Sequence, residues 1–135
     1  MTEKQLDKAL NTARELLLDG WELLLDTETA LVECNGIGPA WLKITCKIIS
    51  FLFPVFVPPS AIHDMQYFRG GDWKDRESAD RAFLANSITA IEAKYQSAAM
   101  RKLLTAIAKG NYYLLRLGGH FSFNSKKEVT SSDNV

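Results

Sequence analysis

Between Glu3 and Leu18 the apolar residues Leu6, Ala9, Leu10, Ala13, Leu16 and Leu17 recur at three- and four-residue intervals, with Lys4, Lys8, Asn11 and Glu15 towards the other side. That period predicts an amphipathic helix. Thr2 is placed to cap it, Gln5 stands at the capping-box position, and Gly20 is a stop. From Trp21 to Glu33 the pattern loosens. Two apolar runs, Trp21–Leu25 and Ala30–Cys34, flank the polar Asp26-Thr27-Glu28-Thr29, which predicts a short β-hairpin.

After the loop Cys34-Asn35-Gly36-Ile37-Gly38-Pro39, the stretch Ala40–Phe53 reads as a helix that Pro54 ends. Its polar stripe, Lys43, Lys47 and Ser50, is narrow, so the helix is either buried centrally or turns an apolar face to a lipid or a partner. The run is too short to span a bilayer, which needs about 20 residues. Pro58-Pro59-Ser60 opens the next helix, with Ser60 as cap, and Gly70-Gly71 ends it. Trp73–Arg76 reads as a polar turn. A long helix from about Asp75 to Tyr95 follows, with Ala79, Phe83, Leu84, Ile88 and Ile91 as its stripe. A last helical region runs from Ala98 to about Leu117, with Gly110 as a candidate break. Residues 122–135 lack apolar periodicity and read as a flexible tail after a single domain over residues 1–121. The expected class is mainly α, built on an antiparallel pair, Ser60–Arg69 and Asp75–Tyr95, with further helices packed around it.

Composition changes this picture little. The 135 residues are 47% hydrophobic and 24% charged, which fits one soluble globular domain. Sixteen basic residues balance sixteen acidic ones, so charge gives no reason to expect a nucleic-acid partner. Two cysteines, Cys34 and Cys46, make no disulfide framework, and reduced thiols are the expectation. The charged N-terminus lacks the apolar core of a signal peptide. The expectation is synthesis in the cytoplasm, with signal-independent export left open.

Candidate chemistry concentrates in Ala61-Ile62-His63-Asp64-Met65-Gln66-Tyr67. His63 and Tyr67 are four apart and share a helix face, while Asp64 is rotated by about 100° and addresses a neighbouring site. If the next helix folds back, Asp80 comes level with His63. A carboxylate bonding one ring nitrogen fixes the tautomer and leaves the other nitrogen to take a proton from water. Tyr67 can donate to the same carboxylate. Upstream, Cys34, Gly36 and Gly38 alternate, so their carbonyls can turn to one side and offer oxygens to a hard cation, with Asp64 completing the shell. Each part alone also has a plain reading, the loop as a turn and His63-Asp64 as a structural pair. A zinc site from Cys34, Cys46, His63 and His120 has no recognisable spacing. A Cys34–His63 thiol hydrolase has no orienting residue that can be named. Neither a nucleophile elbow nor a phosphate-binding loop is present.

Together, Cys34-Asn35-Gly36-Ile37-Gly38, His63-Asp64-Met65-Gln66-Tyr67 and Ala79-Asp80-Arg81-Ala82-Phe83 resemble the phospholipase A2 superfamily over about residues 34–86. The chain looks closer to the compact, disulfide-poor viral and bacterial forms. The resemblance implies Ca²⁺-dependent hydrolysis of the sn-2 acyl ester of glycerophospholipids. His63 would be the general base, Asp80 would orient it and Tyr67 would brace Asp80. Ca²⁺ would sit on Asp64 and on the carbonyls of Cys34, Gly36 and Gly38. The greasy Trp41–Phe56 stretch would meet a phospholipid surface. The alternative is a non-catalytic module of the same build that binds a membrane or a protein partner through that stretch.

Overall fold

The computed structural model describes residues 1–34, 48–49 and 51–132; beyond residue 119 the one side chain described is that of Phe123. The described residues form α1 (Glu3–Glu15), α2 (Thr27–Glu33), α3 (Val57–Arg69), α4 (Trp73–Lys94) and α5 (Ala98–Ser132), with 3₁₀ turns at Trp21–Leu25 and Pro54–Phe56 and no strand among them. The protein is mainly α, as its sequence predicts.

Several boundaries differ, each for a local reason. α1 carries the expected capping box between Thr2 and Gln5 but ends at Glu15, before Gly20. Its last turn closes when the Leu17 amide bonds to the Arg14 carbonyl and the Leu18 amide to that of Ala13, with Leu17 at φ 51°. This is the paired C-terminal closure usually given to glycine. The predicted hairpin does not form. Trp21–Leu25 winds as a 3₁₀ turn, and the Asp26 side chain accepts from the Thr29 amide and starts α2 in the polar stretch read as a turn. Ser60 is no cap: α3 begins three residues earlier, with Pro58 and Pro59 in a first turn whose amides need no partner. Trp73–Arg76 is helix rather than turn. Asp72 accepts from the amides of Lys74 and Asp75, and Asp75 accepts in return from the Asp72 amide. α5 passes through Gly110 unbroken. The predicted helix over Ala40–Phe53 falls mostly outside the described residues; Ile48, Ile49, Phe51 and Leu52 within it are helical.

α3 and α4 fold back on each other. Tyr67 packs with Ala79, the His63 ring meets Phe83 and Phe56 clusters with Ala90 and Ile91, the reversed order of an antiparallel pair. Only Gly70, Gly71 and Asp72 connect them. Gly70 (φ 69°) and Gly71 (φ 133°) adopt backbone that a Cβ disfavours, which allows the reversal. α5 runs antiparallel to α4 in turn, with Leu115 on Phe83 and with Leu104 and Ala108 beside Ala90 and Ile91. The N-terminal elements cover the remaining side of α3 through Leu6, Ala13, Leu18, Leu24, Ala30, Ala61, Ile62 and Met65. α3 is thus apolar on one flank and carries His63 and Tyr67 on the flank facing α4. Phe123, beyond the boundary expected at residue 121, is buried against Tyr67.

The Asn86 side chain ties the N-terminal layer to α4 by hydrogen bonds. Asn86 is buried; its amide donates to the Asp19 carbonyl at 2.9 Å and its oxygen accepts from the Asp19 amide at 2.8 Å. Asn86→Ala leaves both backbone groups short of partners and is expected to lower stability by about 1–3 kcal/mol. Urea unfolding followed by circular dichroism reads the loss as an earlier midpoint at unchanged slope.

Candidate functional site

α3 presents His63 and Tyr67 one turn apart, with ring centroids 4.1 Å apart. α4 brings Asp80 between them. Its Oδ1 lies 2.8 Å from His63 Nε2 and accepts the Tyr67 hydroxyl proton at 2.6 Å. His63 and Tyr67 are buried, and Asp80 is 0% exposed. Phe83 stands edge-on to His63 at 5.7 Å and Phe123 edge-on to Tyr67 at 5.3 Å, closing the apolar walls. Sequence spacing thus predicted the triangle His63–Asp80–Tyr67 in its observed arrangement.

A buried carboxylate is costly unless its lone pairs are filled. Here α5 fills the second oxygen. Arg116 Nη1 donates to Asp80 Oδ2 at 2.8 Å, and Arg76 Nε stands 3.9 Å from the same oxygen. The Nη2 of Arg76 donates to the carbonyls of Leu115 at 2.8 Å and Arg116 at 2.7 Å. Sequence reading missed both arginines. A signal for one was present: Arg116 interrupts the apolar stretch Tyr112–Leu117 on a helix with few acidic residues nearby, so it needs an acid from another element.

The electrostatics follow from these contacts. Burial pushes the Asp80 carboxyl up, but the hydrogen bonds of His63 and Tyr67, the charge of His63 when protonated and the Arg116 hydrogen bond outweigh it. The net effect holds the group below the usual aspartate range. Burial, with the charge and hydrogen bond of Asp80, pushes the Tyr67 phenol well above its ordinary value, so Tyr67 remains a donor. Because Nε2 faces an ionised carboxylate, the chemistry places the ring proton on Nε2 in neutral His63. Nδ1 then carries the lone pair and has no hydrogen-bond partner among the described residues.

No protein-family model matches this chain, nor does any curated protein or solved structure. The site therefore rests on its own chemistry.

The predicted cation shell is described only in part. Asp64 is half-buried, next to His63 on the turned face of α3. Cys34 is a half-buried thiol whose S–H donates to the Ala61 carbonyl at 3.6 Å. That contact puts the start of the Gly-rich loop against α3 one turn before Asp64. Gly36, Gly38 and Cys46 lie outside the described residues, as does the side chain of His120. Among the described residues no three His, Cys, Asp or Glu side chains converge as a metal cluster. One carboxylate with backbone carbonyls is a different donor set, the kind a hard cation takes.

Proposed function

We propose that this protein is a Ca²⁺-dependent hydrolase of glycerophospholipid acyl esters acting at the sn-2 position. The observation that carries the reading is the buried His63–Asp80–Tyr67 arrangement, which commits Nε2 to a carboxylate and leaves Nδ1 as a proton acceptor. In the proposed reaction Nδ1 takes a proton from water, and the water oxygen attacks the ester carbonyl carbon. The same proton is then returned to the departing lysophospholipid alkoxide. Asp80 steadies the imidazolium in between, and Tyr67 together with Arg116 keeps Asp80 in place. Phe83 and Phe123 keep bulk water from the hydrogen bonds behind the ring.

Asp64 and the Cys34 carbonyl, with those of Gly36 and Gly38, would hold the cation, and hard oxygen donors beside the base fit Ca²⁺. Bound there, Ca²⁺ would polarise the ester carbonyl and stabilise developing negative charge on its oxygen. The likeness of the three motifs to the phospholipase A2 superfamily supports the same reading.

A lipid surface as substrate also suits the Trp41–Phe56 stretch. Its described residues Ile48, Phe51 and Leu52 are exposed, Phe51 to 85%. Among the described residues no helix is long and apolar enough to cross a membrane. The same exposed residues favour a second reading, a module that binds a membrane or a protein partner through this surface without catalysis.

Vesicles of phosphatidylcholine and phosphatidylglycerol, assayed for fatty-acid release with Ca²⁺ and with a chelator, separate the two. Hydrolysis that requires Ca²⁺ supports the enzyme. Binding without release of fatty acid, unaffected by the chelator, supports the module. Asp64→Ala should lose at least about a hundredfold in rate, in the range of removing one oxyanion-stabilising group. It should also lose calorimetric Ca²⁺ binding, while Tyr67→Phe retains it. Wild-type Ca²⁺ affinity in Asp64→Ala would remove this residue from the shell.

A further inference from the structure

We propose that Arg116 is a positioning residue for His63: acting through Asp80, it sets which ring nitrogen of His63 bears the proton. Its catalytic consequence rests on the hydrolase reading, whereas its effect on the ring does not.

Asp80 is shared out by edge. Oδ1 takes His63 and Tyr67, and Oδ2 takes Arg116. Without a donor on Oδ2 the carboxylate is held on the Oδ1 edge alone and can turn about its Cβ–Cγ bond, which swings Oδ1 off the line of Nε2 and weakens the preference for Nε2–H. A guanidinium on Oδ2 removes that freedom. It also keeps the carboxylate ionised in a buried place, so that Asp80 accepts the Nε2 proton rather than holding one of its own.

Arg116 is itself held. Arg76, one turn before Asp80 on α4, grips the carbonyls of Leu115 and Arg116 with one nitrogen. α4 thus clamps the α5 backbone at the residue whose side chain reaches back to α4. Such a crossed pair defines where the guanidinium stands, which a single surface ion pair does not.

Gly119 is the clearance that lets α5 come this close. It lies three residues after Arg116, on the same helix face, and a Cβ there would land on the Tyr67 hydroxyl and within 3.2 Å of its ring carbons Cε2 and Cζ. Glycine inside a helix is disfavoured relative to alanine. At this position the cost is offset by letting the Tyr67 hydroxyl and the Arg116 guanidinium reach one carboxylate.

The test uses the full chain with ¹⁵N-labelled histidine. There are only two histidines, so His120→Gln isolates the His63 signals. With the ring neutral, the Arg116-containing protein should show a single tautomer protonated on Nε2. Arg116→Met, with its helical circular dichroism retained, should show a mixture containing the Nδ1–H form. Methylguanidinium added to that variant should restore the single tautomer, because the Arg116 side chain is 30% exposed and its place can be reached from solvent. A purely structural arginine would not show that rescue. An unchanged Nε2–H tautomer in folded Arg116→Met overturns the proposal.

Should Arg116→Met fail to fold, Arg116→Ala is read instead, because it likewise removes the donor on Oδ2 and leaves its place open to methylguanidinium. A mixed tautomer in folded Arg116→Ala supports the proposal, and a single Nε2–H tautomer overturns it. In the vesicle assay Arg116→Met should lower kcat by about tenfold to a hundredfold with KM unchanged, the size of a small misplacement of a reacting group. A wild-type protein that releases no fatty acid would sink the hydrolase reading and leave the tautomer result to stand or fall by itself.

Discussion

His63→Gln is expected to reduce fatty-acid release from phospholipid vesicles by about a thousandfold or more, towards the upper end of what a positioned general base contributes. Glutamine is chosen because its side-chain amide can still donate to Asp80 Oδ1, so the carboxylate keeps a partner on that edge. What it cannot do is accept a proton from water. The expected protein is therefore folded, as judged by far-ultraviolet circular dichroism, and retains Ca²⁺ binding through Asp64. A folded His63→Gln protein with a rate within tenfold of wild type would show that the proton goes elsewhere.

Asp80→Asn is expected to cost stability more than any other substitution at the site, by roughly 3–5 kcal/mol, the usual consequence of breaking a buried charge pair from one side. The reason lies in the donors it strands. His63 Nε2, the Tyr67 hydroxyl and the Arg116 guanidinium all point at this carboxylate, and an amide offers one oxygen where two were used. Urea unfolding at neutral pH measures the difference.

The wild-type protein carries a matching pH signature. Folding holds the Asp80 carboxyl below its ordinary value. Its contribution to stability is therefore complete above the unfolded value, near 4, and disappears as pH drops through the lower folded value. The unfolding midpoint of the wild type should decline between about pH 4 and the folded pKa, and that of Asp80→Asn should be flatter over the same interval. Parallel curves would mean that Asp80 is not the group responsible.

The part of the site that could be read from the chain is the part held by one helix period and one reversal. His63 and Tyr67 are four residues apart, so any helix through them puts both on one face. Gly70-Gly71 is a reversal signal, and a helix that folds back from it carries Asp80 to the same level. Arg116 is 36 residues from Asp80, and no local rule links them. Its partner is set by where α5 crosses α4, which depends on Leu115 packing on Phe83 and on Leu104 and Ala108 packing beside Ala90 and Ile91.

Local chemistry also decided the misreadings. Asp26 and Asp72 sit in polar stretches that resemble turns, yet each caps a helix, because a short carboxylate serves both purposes. The two prolines before Ser60 lie inside the first turn of α3, where a cap at Ser60 would have left them outside the helix. Leu17 closes α1 in a conformation more often left to glycine, which hid the end of that helix.

Arg116 and Gly119 occupy one turn of one face of α5, and this spacing gives the site a signature independent of overall similarity. A chain that carries His-x-x-x-Tyr on one helix, Asp on the next and Arg-x-x-Gly on a third holds five groups from which the same carboxylate cage can be assembled. The loops between them are free to vary in length and composition. Distant relatives of this protein are therefore better sought by that five-point pattern on three successive helices than by alignment along the chain.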